Sequence, residues 1–404
     1  MSSIKRLLIS ILPLFLCSCQ STNNTSSTSS FDDSEESSKD NSTEEIPRQF
    51  IGGHLIFTEL YVDKLTYNRC VEITNISNEE MSLNGYMVNI YRDVGENSKP
   101  TETIALNGQL GAKKSFIIVY EGANNELKAK ADLISDQFLT DGSFPMTITY
   151  NNLSDYVDIV GYVGYDTDIF QSSDAVRKTN SLIAREQYAP YDWIRYPAGT
   201  LTNLGNLNCI DNETLMSGPK LTSDDFSKPY AYDKGNGGGG LLEVTLTSTI
   251  DGDTSKFNFG YSLSEFDITG VNSLRYYGIN TPEIAHNGNP ADPYGPEARD
   301  FTNSILKKAK HFLVQSVEGY SLTETYGRVL GYLWVSYENN PEPSDYFLMN
   351  HYIIQNGFSR VNHVTRGKYN DLMTYQGVSY VEYMYDALNY AILNKINIHS
   401  ISEN

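Results

Sequence analysis

Residues 242–254 read LEVTLTSTIDGDT and residues 274–283 read LRYYGINTPE. The first stretch alternates apolar and polar residues, a half-buried strand, and then meets a tight polar turn at Asp251-Gly252-Asp253-Thr254. The second is another strand, Leu274 to Ile279, followed by Asn280-Thr281-Pro282-Glu283. Phe257 to Phe259 starts a return strand between them. Downstream, Tyr294-Gly295-Pro296-Glu297 opens a helix, since proline suits the first helical turn. Ala298, Phe301, Ile305, Leu306 and Ala309 then share one helical face. His311 to Val317 and Val329 to Tyr337 read as two more strands, joined across Tyr326-Gly327-Arg328. Leu348 to Gln355 is a short helix closed by Gly357, and Val381 to Lys395 a last one. Five strands with interspersed helices predict a small closed barrel over residues 241–400.

The order of these motifs resembles the thermonuclease (staphylococcal-nuclease-like) family, an OB-fold five-stranded barrel with three helices. The resembling pieces are Ile250 to Thr254, Leu274 to Glu283, Tyr294-Gly295-Pro296-Glu297-Ala298, Tyr326-Gly327-Arg328 and the segment from Met349-Asn350 to Arg360-Val361. A lone DGDT turn is common. Arg275 eight residues before Glu283, with YGPEA and YGR following in order, makes the set specific.

A phosphodiester is an anion that hydroxide attacks poorly. A site must neutralise it, supply the nucleophile and stabilise the extra charge of the transition state. The resemblance implies that Asp253 ligates calcium, that Asn280 supplies a second ligand and Thr281 its backbone carbonyl. It implies that Glu283 holds the attacking water as general base, that Arg275 and Arg328 grip the phosphate, and that cleavage leaves 3′-phosphate ends. Arginine suits that grip, because its planar fork gives paired donors and stays charged. Asn280 departs from the family's usual aspartate. An amide oxygen still ligates but brings no charge, so a millimolar calcium requirement or another divalent ion is expected. Asp251 is expected to shape the turn or support the site. Tyr326 either stacks on substrate or packs on the barrel, His363 is a minor phosphate-contact candidate, and His286 reads as a solvated loop residue.

Upstream, residues 49–212 form a series of short β-type runs split by Asn, Gly and Asp turns: 54–61, 70–75, 86–91, 115–120, 146–150 and 156–161. That pattern predicts an antiparallel sandwich. LIFTELYVD, CVEITNISNEEMSLNGYMV, LGAKKSFIIVY, DYVDIVGYVG and SLIAREQ resemble the lamin-tail domain, an immunoglobulin-like β-sandwich. The fold class expected is thus mainly β with two domains. No catalytic constellation is visible in the sandwich; Glu59 and Glu72 read as the charges that sandwich edges carry. Its protein partner is not named by any residue. Residues 213–240, with Gly218-Pro219 and a glycine run at 235–240, are expected to be a flexible linker.

The chain begins with Lys5 and Arg6, about ten mostly apolar residues from Leu7 to Leu16, and then Leu16-Cys17-Ser18-Cys19. The apolar run is too short to span a bilayer. The end resembles a bacterial lipobox, which implies that residues 1–19 are a lipoprotein signal peptide. Cys19 would then be acylated and hold the protein to the outer face of a lipid bilayer, at about 0.8 kcal/mol per buried CH₂. Residues 20–48 are Ser, Thr, Asn, Asp and Glu-rich and have little to bury, so they are expected to form a disordered acidic tether.

Hydrophobic residues are 40% of the 404-residue chain and aromatics 12%, which excludes a wholly disordered protein. Lys+Arg is 30 against Asp+Glu 50, a formal charge of −20, so binding through a broad basic surface is excluded. From residue 241 onward the balance is 11 against 18, or −7, so phosphate must be met by few, focused contacts. Cys70 and Cys209 either pair or remain thiols. Two functions fit: a surface-anchored, metal-dependent nuclease acting on DNA or RNA, or a non-catalytic lipoprotein binding nucleic acid or a partner.

Overall fold

Alternation of apolar residues builds two facing sheets in the first half of the chain. The computed structural model describes residues 53–400 apart from 64, 96, 139, 152–155, 166–168, 171–172, 198, 200, 202, 207–209, 233–234, 262, 287 and 365–372. The expected signal peptide, Cys19, the tether and Cys209 lie outside the described residues. Strands β1 (Leu55–Val62), β2 (Arg69–Asn75), β3 (Tyr86–Ile90), β4 (Glu102–Ala105), β5 (Ser115–Tyr120), β6 (Leu133–Ser135), β7 (Met146–Tyr150), β8 (Asp158–Val160), β9 (Ser173–Arg177) and β10 (Trp193–Pro197) follow in order. One sheet runs β10-β9-β1-β2-β5-β6 and the other β8-β7-β3-β4. Leu55, Phe57, Val71 and Ile73 of the first meet Val88, Ile90, Ile148 and Val160 of the second in one core.

β1 and β2 lie in the middle of their sheet and are covered on both faces. Glu59 and Glu72, expected as edge charges, are therefore buried and stand opposite each other. Glu72 accepts from Thr58 Oγ1 (2.6 Å) and from the backbone N–H of Gly205 (2.5 Å). Burial first, then Asp174, pushes the Glu59 carboxyl up to about 11. Burial likewise raises Asp174 to about 8. Cys70 is a buried free thiol.

The second half continues with β11 (Leu241–Glu243), β12 (Thr245–Thr249), β13 (Thr254–Asn258), β14 (Val271–Tyr276), β15 (Ile279–Asn280), helix α2 (Gly295–Leu306), β16 (His311–Gln315), β17 (Val329–Ser336), α3 (Met349–Gln355), β18 (Arg360–Val361) and α4 (Tyr380–Leu393); α1 (Asn212–Ser217) precedes them. Their sheet runs β11-β16-β17-β14-β13-β12, with β14 and β17 parallel. It curls until β12 meets β16, an order consistent with the expected five-stranded barrel. Phe257, Leu274, Val314, Leu333 and Trp334 fill it, and Ala298, Leu306, Ile353 and Met384 bring the helices onto the same core.

The described part of residues 213–240 departs from the flexible linker expected. α1 is capped by Asp211, whose Oδ1 accepts from the N–H of Thr214 at 2.7 Å. The glycine run lies against the barrel: Gly237 donates to the carbonyl of Tyr320 (2.7 Å) and Ser316 to that of Gly240 (3.1 Å). A methyl group on Gly240 would overlap the backbone at Lys228 and Pro229, so glycine is required by close backbone approach rather than by flexibility. The chain from Pro47 on forms one compact unit. Val176, Ile194, Tyr196 and Leu215 share a cluster with Val378 and Tyr383. Around it, Glu382 accepts from the N–H of Arg195 (3.1 Å), Gln355 donates to the carbonyl of Met216 (2.6 Å), and Lys178 pairs with Asp386.

Candidate active site

The DGDT turn is held from three sides. Asp251 Oδ1 accepts from the N–H of Asp253 (3.1 Å), and Thr302 Oγ1 of α2 donates to the carbonyl of Gly252 (2.7 Å). Gly252 faces the Thr281 side chain, and an added Cβ would come within 2.7 Å of it. Thr281 in turn donates its N–H to Asp253 Oδ2 at 2.8 Å. These contacts fix Asp253, which is 4% exposed, beside the end of β14.

Arg275 lies across from Thr254 in the β13–β14 ladder. Its guanidinium pairs with Asp253 through Nη1 and donates from Nη2 to Asn280 Oδ1 at 2.8 Å. Asn280 is carried by the short β15–β18 pair, with its N–H on Ser359 Oγ (2.9 Å). Glu283 sits on a loop clasped by Asp292: each N–H of the pair donates to an oxygen of the other residue, at 3.0 and 2.9 Å. Arg328 follows a tight turn in which Gly327 adopts φ 79°. Glu324 Oε1 accepts from Arg328 Nε (3.0 Å) and from its N–H (3.2 Å).

One pocket of about 600 Å³ is lined by Asp251, Asp253, Arg275, Asn280, Glu283 and Arg328. Five of the six protein-site residues expected from sequence thus converge. The sixth, Thr281, is buried behind Asp253 and lines a neighbouring pocket instead. Tyr326 is 85% exposed, so barrel packing is not its role; it stands in the pocket wall with the Arg328 guanidinium 5.9 Å from its ring. His363 and Asn362 line the same wall, while His286 is an exposed loop residue bonded to the Ile284 carbonyl. Sequence reading missed Glu324 and Tyr320. An acid four residues before Arg328 was a visible signal for the first; nothing local marks Tyr320.

At the edge where Asp253 and Asn280 meet, the pocket offers oxygen donors, the chemistry of a hard cation. Burial and then the charge of Asp253 push the Asp251 carboxyl up to about 7, so the turn crowds more negative charge than it neutralises. Among the described residues no three Asp, Glu, His or Cys side chains cage an ion unaided. Asp253 and the Asn280 amide oxygen are the donors that a cation keeping several waters would take, in competition with Arg275, which pairs with both.

The comparisons with known proteins meet this geometry in the same stretch. Residues 273–380 match the family model of the Staphylococcal nuclease homologue. The chain is similar to "Thermonuclease" of Staphylococcus hyicus, 38% identical over 66 residues, 16% of this chain and 37% of that protein. It is also similar to "SPbeta prophage-derived endonuclease YokF" of Bacillus subtilis (strain 168), 27% identical over 124 residues, 31% of this chain and 36% of that protein. Within the second half of the chain, residues 273–380 are thus similar to the staphylococcal nuclease family. The matches span about a third of the length of these curated relatives.

Proposed function

We propose that the protein is a metal-dependent endonuclease that hydrolyses phosphodiester bonds of DNA or RNA and leaves 3′-phosphate ends. The observation that carries this reading is the convergence of Arg275, Arg328, Glu283, Asp253 and Asn280 on one pocket. A calcium-class cation held by Asp253 and Asn280 would supply Lewis-acid charge at the phosphate. Arg275 and Arg328 bind the non-bridging oxygens from two sides and meet the charge that grows there. Glu324 keeps the Nε edge of Arg328 engaged, which leaves its terminal nitrogens for phosphate. Glu283 takes the proton of the attacking water. Thr281 serves by holding Asp253 through its N–H.

The lipobox-like end places Cys19 as the acylated residue, so the enzyme would work at a bacterial cell surface, held to the bilayer and outside the cytoplasm. The first half is proposed as a lamin-tail-like, immunoglobulin-like sandwich; its two facing sheets support this. The test is cleavage of DNA and RNA by the purified chain across calcium, magnesium and manganese, with end-group analysis, beside Glu283→Gln. Metal-dependent cleavage with 3′-phosphate ends, lost in the variant, is expected. Absence of cleavage with every metal would leave the binding lipoprotein as the function.

A further inference from the structure

The main pocket does not end at Asn280 and Glu283. Both residues also line a second pocket of about 350 Å³, whose other walls include Thr281, Asp292, Arg360 and Ile398. Arg360 on β18 stands directly opposite Asn280 on β15. Opposite residues of an antiparallel pair project to the same face, about 5 Å apart at Cα. Asn280 in turn touches the Arg275 guanidinium, so arginine, amide and arginine form a row along one edge of the site.

Two acids, Glu283 and Asp292, also line this second pocket. The Asp292 carboxylate is turned onto the Glu283 N–H at 3.0 Å and spends part of its charge there. The domain carries net negative charge, so each cation facing the groove weighs heavily in where a polyanion can lie.

We propose that the second pocket is a subsite for a phosphate flanking the scissile one, and that Arg360 binds it. A polynucleotide then crosses the Asn280–Glu283 saddle from the Tyr326–Arg328 wall to Arg360. This rests on the nucleic-acid substrate proposed above. It adds a contact that acts in binding and lies outside the reacting atoms.

The experiment is fluorescence anisotropy of labelled dT12 with the full chain in EDTA, across a salt series, for wild type, Arg360→Gln and Arg360→Lys. Without metal nothing is cleaved, so the result is independent of whether the protein is an enzyme; failure of the nuclease reading shows separately, as absent cleavage with metals. Arg360→Gln is expected to weaken binding about three- to tenfold and to make the slope of log K against log salt shallower by about 0.7, one single-strand phosphate contact. Arg360→Lys should restore the slope. An unchanged slope in Arg360→Gln, with or without weaker binding, would overturn the subsite, as would wild type that does not bind dT12.

Discussion

Removing one partner of the Lys178–Asp386 pair tests whether sandwich and barrel fold as one body. Lys178 follows β9 and Asp386 lies on α4; their side chains are 8% and 5% exposed. Asp386→Ala strands a buried ammonium, which costs about 3–5 kcal/mol. Both residues also line an open pocket of about 270 Å³, which lessens the desolvation of the stranded charge, so the lower end, about 3 kcal/mol, is expected. Unfolding entropy is roughly 2 cal/mol/K per residue, so over about 350 residues the midpoint should drop by about 4 °C. Lys178→Met with Asp386→Leu should recover most of it, because neither charge remains. The two tryptophans give the assay: Trp193 is buried in the sandwich and Trp334 in the barrel. Thermal unfolding followed by fluorescence in Trp193→Phe and Trp334→Phe backgrounds reports each half separately. One shared midpoint that falls equally in both backgrounds is expected. Two distinct midpoints, or a shift confined to one tryptophan, would refute the single-body reasoning.

Two further outcomes follow from the site and the sandwich. Glu324→Ala frees the Arg328 guanidinium from a charge-assisted bond worth about 1.5–3 kcal/mol, less here because Arg328 is 34% exposed, so kcat/KM should fall about tenfold. Steady-state kinetics at saturating metal check this, and unchanged kcat/KM would mean that Arg328 needs no positioning. In the sandwich, burial holds Glu59 and Asp174 protonated well above their ordinary values of 4.5 and 3.8. The folded state therefore holds extra protons above about pH 4.5, and stability falls as pH rises through that window. Glu59→Gln removes one titration and lets an amide donate to Asp174. Urea midpoints from pH 6 to 9 should decline less steeply in the variant than in wild type.

Local chemistry made much of this protein readable from sequence. The DGDT turn, the proline opening α2, Gly357 closing α3 and the period-2 runs of both halves are short-range signals, and each element stands where such signals put it. Arg275, Glu283 and Arg328, expected at a site from a family resemblance, line one pocket in the structure. The tertiary structure alone decided what depends on distant partners. Residues 213–240 carry a linker's composition, yet Gly237 and Gly240 are tied down because the barrel supplies hydrogen bonds to their backbone. Glu59 and Glu72 look like edge charges until β9 and β5 flank their strands and bury them. Arg275 reaches Asn280, and Arg360 stands opposite it, only once β15 and β18 pair across 80 residues of chain. Burial and cross-strand pairing are set by which surfaces meet, and no local run of residues states that.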